Sequence, residues 1–81
     1  MRMSVKLFAA ARQELARDTV LVDLPDRATV GDLRQALVAQ YPHLAVWKDH
    51  LLFAIECEYA ADEARIAPNA EVACFPPVSG G

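Results

Sequence analysis

The clearest structural signal in the chain comes from residues 19–42, which read TVLVDLPDRATVGDLRQALVAQYP. The first six residues are rich in β-branched side chains and alternate in polarity, with Val20 and Val22 on one face. They end at Pro25-Asp26, a pair that is typical of a turn. We therefore predict a strand over residues 19–24.

The second half of this stretch predicts a long amphipathic helix that begins at Val30. Thr29 is a suitable N-cap, because its hydroxyl can accept a hydrogen bond from the free amides of the first turn. Asp32 lies three residues later, as in a capping box, and faces the positive end of the helix dipole. Apolar residues then recur at helical spacing up to Tyr41, and Pro42 prevents much continuation.

Shorter patterns on either side predict the remaining elements. They are a first strand over 4–9, a short helix over 10–17, a third strand over 51–57, a short edge strand at 58–59 and a last strand over 71–75. The resulting order of elements predicts the α+β class, with one mixed sheet and the main helix packed on one face. The final strand is then able to return to the centre of the sheet, beside the first strand.

Composition excludes several classes of function. The 81 residues suffice for one domain, and 54% of them are hydrophobic, which excludes a disordered chain. The net charge of −3 is spread along the chain without a basic cluster, so we expect no nucleic-acid partner. No apolar run is long enough to cross a bilayer and no signal-peptide pattern is present, so we expect no membrane partner and a cytoplasmic protein.

The residues that most often bind metals are poorly placed for it. Cys57 and Cys74 lack the C-x-x-C spacing of zinc and redox sites, and we predict that both are buried thiols. His43 and His50 have no cysteine or carboxylate at ligand spacing, which predicts surface residues and no metal site. The sequence also contains no nucleophile–base constellation, so any catalysis has to involve a partner.

The end of the sequence is the most informative feature for function. Residues 76–81 read Pro-Pro-Val-Ser-Gly-Gly, and we predict a domain over 1–75 followed by a flexible tail over 76–81. Prolines favour an extended, projecting chain, and glycines without Cβ atoms are able to thread a narrow channel. Fraying is the simpler interpretation of two terminal glycines taken alone.

The ending Phe75-Pro76-Pro77-Val78-Ser79-Gly80-Gly81 resembles that of the small, sulfur-carrying subunit of molybdopterin synthase, a ubiquitin-like β-grasp family. Further similarity lies in the helix start at residues 29–33, in Tyr41-Pro42, and in the hairpin at residues 54–59. The resemblance therefore spans nearly the whole chain and implies a β-grasp roll.

The resemblance also implies a chemical cycle. An adenylyltransferase similar to ubiquitin-activating enzymes consumes ATP to adenylate the Gly81 carboxylate, and a sulfur donor protein converts it to a thiocarboxylate. The tail, with Pro76, Pro77, Val78, Ser79 and Gly80, then threads into the large catalytic subunit and gives its sulfur to a pterin precursor. The implied assembly is a heterotetramer, and the chain itself binds no cofactor.

Two other interpretations remain open at this point. One is a sulfur carrier of another pathway, such as thiamine synthesis or tRNA thiolation. The other is a ubiquitin-like modifier or interaction module, whose tail forms isopeptide bonds with lysine or remains unused.

Phe8 is the candidate partner-binding residue outside the tail. Phe8 alternates out of step with the buried residues of the first strand, which predicts either that it lies on the opposite sheet face or that it belongs to a minor second core under the loops. Together with Phe75 and Val78 it would form an apolar patch near the tail. The expected role of this patch is to dock a partner, and Trp47 is expected to cover one end of the core.

Overall fold

The computed structural model describes residues 1–77. The strands are β1 (Arg2–Leu7), β2 (Thr19–Asp23), β3 (Leu52–Ile55), β4 (Glu58–Tyr59) and β5 (Val72–Phe75). The α-helices are α1 (Ala9–Leu15) and α2 (Val30–Gln40), and a 3₁₀ helix spans Pro42–His50. The predicted types and order of the elements are confirmed, and the 3₁₀ helix is an addition to them.

The five strands form one mixed sheet in the order β2-β1-β5-β3-β4. β1 is antiparallel to β2 and parallel to β5, while β3 is antiparallel to both β5 and β4. The last strand therefore lies between the first and third strands, with Val72 opposite Val5 and Ile55. The predicted return of the final strand to the centre is confirmed.

Buried and exposed residues alternate along β1 as predicted, but the strand lies two residues earlier in the chain than expected. Met3, Val5 and Leu7 are buried, and the residues between them are exposed. The predicted bounds of 4–9 were wrong by two residues at each end. The β1–β2 ladder begins at Arg2 opposite Asp23, and Ala9 already belongs to α1, which ends at Leu15 and not at residue 17.

The start of α2 is held by a capping box, as the sequence predicts. Thr29 Oγ1 accepts a hydrogen bond from the Asp32 amide at 3.2 Å, and the Asp32 carboxylate accepts one from the Thr29 amide at 2.9 Å. These two bonds satisfy amides that the helix leaves free. Val30, Leu33 and Leu37 are buried on one side of the helix and pack into the core above the sheet.

The 3₁₀ helix covers one end of this core. Leu44 is buried within it, and Trp47 is partly buried against the core cluster, so the expected covering role of Trp47 is confirmed. Pro42 occupies the first position of the 3₁₀ helix, where the missing N–H costs little. The proline that ends α2 therefore also begins the next turn.

Arg34 ties three parts of the chain together. Its Nη1 donates to the carbonyl oxygens of Lys48 at 2.8 Å and Leu51 at 2.7 Å. Its Nη2 contacts the Asp62 carboxylate at 2.8 Å, and its guanidinium lies 5.2 Å from the centroid of the Phe53 ring. The side chain is only 15% exposed, so these bonds form largely out of water.

The two cysteines lie in different environments. Cys74 on β5 is buried, as predicted, and burial raises the pKa of its thiol to about 12 against a smaller lowering by the Arg34 charge. Cys57 is exposed, so the prediction of a buried thiol was wrong there. Glu56 and Cys57 both have positive φ, at 51° and 68°, and form the turn between β3 and β4. The predicted strand over 51–57 therefore ends at Ile55.

Candidate functional site

One face of the sheet carries the core and the other does not. Strand residues that alternate with the core positions point to the second face, which we call the open face. Their pairing across the sheet places them side by side: Thr19, Leu21, Ser4, Lys6, Ala73, Phe75, Leu52, Ala54 and Tyr59. Leu52 is 46% exposed and Tyr59 is 73% exposed, so both large side chains are accessible on the open face.

An aromatic cluster marks the point where β5 ends on the open face. The rings of Phe8 and Phe75 are stacked, with centroids 4.7 Å apart and planes 12° apart. Tyr59 meets Phe75 edge-on at 6.0 Å, and Lys6 Nζ lies 5.6 Å from the centroid of Phe8. Offset and edge-on contacts of this kind favour a defined arrangement over a loose apolar patch.

The backbone holds Phe8 in this position. Phe8 adopts an extended conformation between β1 and α1, and its N–H donates to the carbonyl of Cys74 at 3.2 Å. That bond continues the parallel pairing of β1 with β5 by one residue. The structure therefore brings Phe8 and Phe75 together on the face opposite the core, where the sequence placed them.

The tail leaves the body beside this cluster. Pro76 is buried and Pro77 is partly buried, so both pack against the domain. The other predicted tail residues, Val78, Ser79, Gly80 and Gly81, lie outside the described residues. The third member of the expected apolar patch, Val78, therefore has no described position.

A broad depression of about 570 Å³ lies next to the aromatic cluster on the open face. Its lining includes Lys6, Glu71, Tyr59 and Phe75. The exposed thiol residue Cys57 also lines it. A lining that combines aromatic and aliphatic side chains with a few charged ones fits a protein-docking surface.

The described residues offer little chemistry of their own. Within residues 1–77, no group of three or more His, Cys, Asp or Glu side chains is arranged to hold a metal ion. His43 and His50 are both exposed, and His43 Nδ1 lies 3.6 Å from the Glu14 carboxylate on the surface. No helix in this part of the chain has the length and apolarity that a membrane crossing requires.

Sequence reasoning missed two contributors to the open face. Tyr59 was placed in an edge strand without a role, yet its register opposite Ala54 points the ring at Phe75. Leu52 joins the face in the same way, through pairing with Phe75. The signal that identifies them is the register between strands distant in sequence, which alternation within one strand does not give.

The mixed sheet with a central last strand, a main helix on one face and an open second face defines a ubiquitin-like β-grasp roll. The profile of the ThiS family matches residues 5–81, nearly the whole chain. This chain belongs to the ThiS family.

Individual relatives agree with this placement. The chain is 32% identical to the molybdopterin synthase sulfur carrier subunit of Dictyostelium discoideum, over 99% of this chain and 96% of that protein. It is 39% identical to small archaeal modifier protein 1 of Haloferax volcanii, over 98% of this chain and 100% of that protein. The crystal structure of SAMP1 from Haloferax volcanii superposes with a TM-score of 0.81, 39% identity and full coverage of both chains.

Proposed function

We propose that this protein is a sulfur carrier that supplies the sulfur of molybdopterin, with the carboxylate of Gly81 as the reacting group. The observation that carries the proposal is the ThiS-family match that runs through Gly81, on a fold whose central strand ends at an open apolar face. Relatives named as molybdopterin synthase sulfur carrier subunits match over almost the full length of this chain, which supports the pathway.

The tail has a length that suits delivery into a partner. Pro76 and Pro77 pack against the domain, so residues 78–81 set the reach beyond it, and four extended residues span at most about 14 Å. A partner docked on the open face is therefore within reach of Gly81 if its active site lies within that distance. Pro76 and Pro77 limit the directions that the tail can take, and the glycines keep its tip narrow.

The proposed conversion of the Gly81 carboxylate to a thiocarboxylate has three steps. Attack of the carboxylate on the α-phosphate of ATP gives an acyl-adenylate and releases pyrophosphate, a step that the adenylyltransferase performs. A donor persulfide then attacks the acyl carbon and displaces AMP, and a second thiol of the donor reduces the resulting acyl disulfide. The product is a thiocarboxylate, which is a better nucleophile than the original carboxylate.

The carrier itself contributes to sulfur transfer by placing its thiocarboxylate next to the pterin precursor. The open face, with Phe8 and Phe75, docks the large subunit of the synthase, and the tail holds the thiocarboxylate beside the pterin precursor. Such placement converts a bimolecular step into an effectively unimolecular one. Two loaded carriers supply the two sulfurs of the dithiolene, and the cytoplasm is the proposed site of the reaction.

Intact-protein mass spectrometry tests the loading step. The chain is incubated with an adenylyltransferase of proven competence, ATP and a persulfide donor, alongside a matched chain that lacks Gly81. We expect a mass gain equal to one oxygen replaced by sulfur in the full chain alone. Absence of that gain overturns the sulfur-carrier proposal.

A second arm tests the pathway. The loaded chain is mixed with the large synthase subunit and the pterin precursor, and dithiolene formation is followed by mass spectrometry. Loading without dithiolene formation assigns the carrier to another pathway. Formation of lysine isopeptide conjugates in place of the thiocarboxylate supports the modifier function instead, which the similarity to small archaeal modifier protein 1 makes a specific alternative.

A further inference from the structure

β2 is an edge strand, so one side of its backbone faces away from the sheet. The Leu24 amide donates to Met1 and the Asp18 carbonyl accepts from Leu7, so even-numbered residues of this segment bond toward β1. Backbone groups alternate in direction along a strand, so those of Thr19, Leu21 and Asp23 point outward. Outward groups of this kind are a template for pairing with another strand.

Two side chains at the end of α2 bond to three of these outward groups. Gln40 Oε1 accepts from the Asp23 amide at 2.9 Å, and Gln40 Nε2 donates to the Asp23 carbonyl at 3.0 Å. Tyr41 Oη donates to the Leu21 carbonyl at 2.8 Å. Gln40 therefore makes with Asp23 the same pair of bonds that a neighbouring antiparallel strand makes.

These three hydrogen bonds are expected to add little to the free energy of unfolding. All three lie in exposed surroundings, where water is able to satisfy the backbone. The net gain from each bond is small, and holding the long Gln40 side chain in one rotamer has an entropic cost. Their larger effect is on what else is able to bind β2.

The sequence of β2 is complementary to itself in the antiparallel direction. In a pair of β2 strands centred on Leu21, Thr19 of each copy faces Asp23 of the other, so no like charges lie directly opposite each other within β2. The two Leu21 side chains, each 53% exposed, would meet at the centre. Apolar side chains that face each other favour pairing, whereas like charges directly opposite would oppose it.

We propose that Gln40 and Tyr41 form an edge guard that prevents β2 from pairing with β2 of a second copy of this chain. Without the guard, two five-stranded sheets join into one continuous sheet. The guard keeps the protein monomeric and leaves the open face as the surface for docking.

The test compares the double variant Gln40→Ala/Tyr41→Phe with the unaltered chain. A matched control is Gln35→Ala/Tyr59→Phe, since both residues are exposed and neither side chain hydrogen-bonds to β2 in the described structure. Sedimentation equilibrium up to millimolar protein measures the fraction of dimer, and hydrogen exchange measures the protection of the Asp23 amide. We expect concentration-dependent dimers in the guard variant alone.

At low concentration, where the guard variant is monomeric, the Asp23 amide is expected to exchange about five- to tenfold faster than in the unaltered chain, since it has lost one hydrogen bond. Adding Leu21→Lys to the guard variant places two like charges at the centre of the strand pair and is expected to restore the monomer.

A folded guard variant that stays monomeric at all concentrations overturns the proposal. Dimers that survive Leu21→Lys also overturn it, because they form elsewhere. If the double variant does not fold, the single Gln40→Ala variant retains the Tyr41 bond and is tested by the same two measurements.

Discussion

Replacement of Arg34 by alanine is expected to be among the most damaging changes to a partly exposed residue of this protein. The side chain is 15% exposed, and its three hydrogen bonds and its contact with Phe53 are all lost in Arg34→Ala. The partly buried carbonyl of Leu51 is left without this charged donor. The end of the 3₁₀ helix and the loop that carries Asp62 lose their common anchor.

The magnitude follows from the exposure of each contact. The bond to Leu51 is charge-assisted and partly buried, so it contributes about 1.5–2 kcal/mol, and the exposed bond to Lys48 about 0.5–1 kcal/mol. Asp62 is 51% exposed, so solvent screening reduces the ion pair to about 0.5 kcal/mol. Stacking on Phe53 adds about 0.5–1 kcal/mol. The expected loss is about 3–4.5 kcal/mol.

A loss of this size is a large part of the whole, because a domain of 81 residues has a free energy of unfolding of about 4–12 kcal/mol. The midpoint of thermal unfolding is expected to fall by at least about 12 °C. Urea unfolding followed by the fluorescence of the single tryptophan, Trp47, and by circular dichroism measures the free energy directly. Arg34→Lys keeps the positive charge but not the planar guanidinium with its several donors, and it is expected to reduce the free energy of unfolding by about half as much as Arg34→Ala.

Arg12→Ala is the matched control. Arg12 is also an arginine in an ion pair, at 3.1 Å from Asp18, but it is 61% exposed, so its loss is expected to change the free energy by less than about 0.5 kcal/mol. A loss below about 1 kcal/mol in Arg34→Ala would refute the reasoning, because the partly buried bond to Leu51 alone is expected to exceed that value.

Two further predictions concern the open face and the cysteines. Phe8→Asp is expected to weaken binding of the large synthase subunit at least about 30-fold by calorimetry while the monomer still unfolds in a cooperative transition, because aromatic residues at the centre of an interface are often worth about 2 kcal/mol or more. The control is Arg17→Asp, an exposed change outside the aromatic cluster. Equal weakening of binding by both variants would contradict the assignment of Phe8 to the docking surface. Cys57 is expected to react with a thiol reagent at pH 8 in the folded protein, whereas Cys74 is expected to react only in denaturant. Burial keeps the Cys74 thiol inaccessible and raises its pKa to about 12, so the thiol stays neutral at pH 8. Modification of Cys74 at the same rate as Cys57 in the folded protein would contradict this.

Signals confined to one segment were predicted well from the sequence. The start of α2 follows from Thr29 and Asp32, which lie three residues apart, and its buried stripe follows from helical spacing. The open face was predicted in part for the same reason, since Phe8 is out of step with its own strand. These features depend on neighbours along the chain, so no tertiary information is needed to find them.

Apart from the return of the final strand to the centre of the sheet, features that depend on distant residues were not predicted. The partners of Arg34 lie 14, 17 and 28 residues away, and an arginine on a helix carries no sign of them. The turn at Glu56-Cys57 has positive φ at two residues that are neither glycine nor asparagine, so the apolar run before it was extended too far. Tyr59 was missed because its position depends on strand register.

The central place of β5 has a mechanical consequence. β5 is bonded to β1 on one side and to β3 on the other, and residues 76–81 continue from its end. A pull on the tail along the strand direction loads both ladders in shear, so their hydrogen bonds have to break together and not one after another. A partner that draws the tail into a deep channel therefore exerts its force on a strand that is bonded on both sides, which favours retention of the fold while the end of the chain is bound.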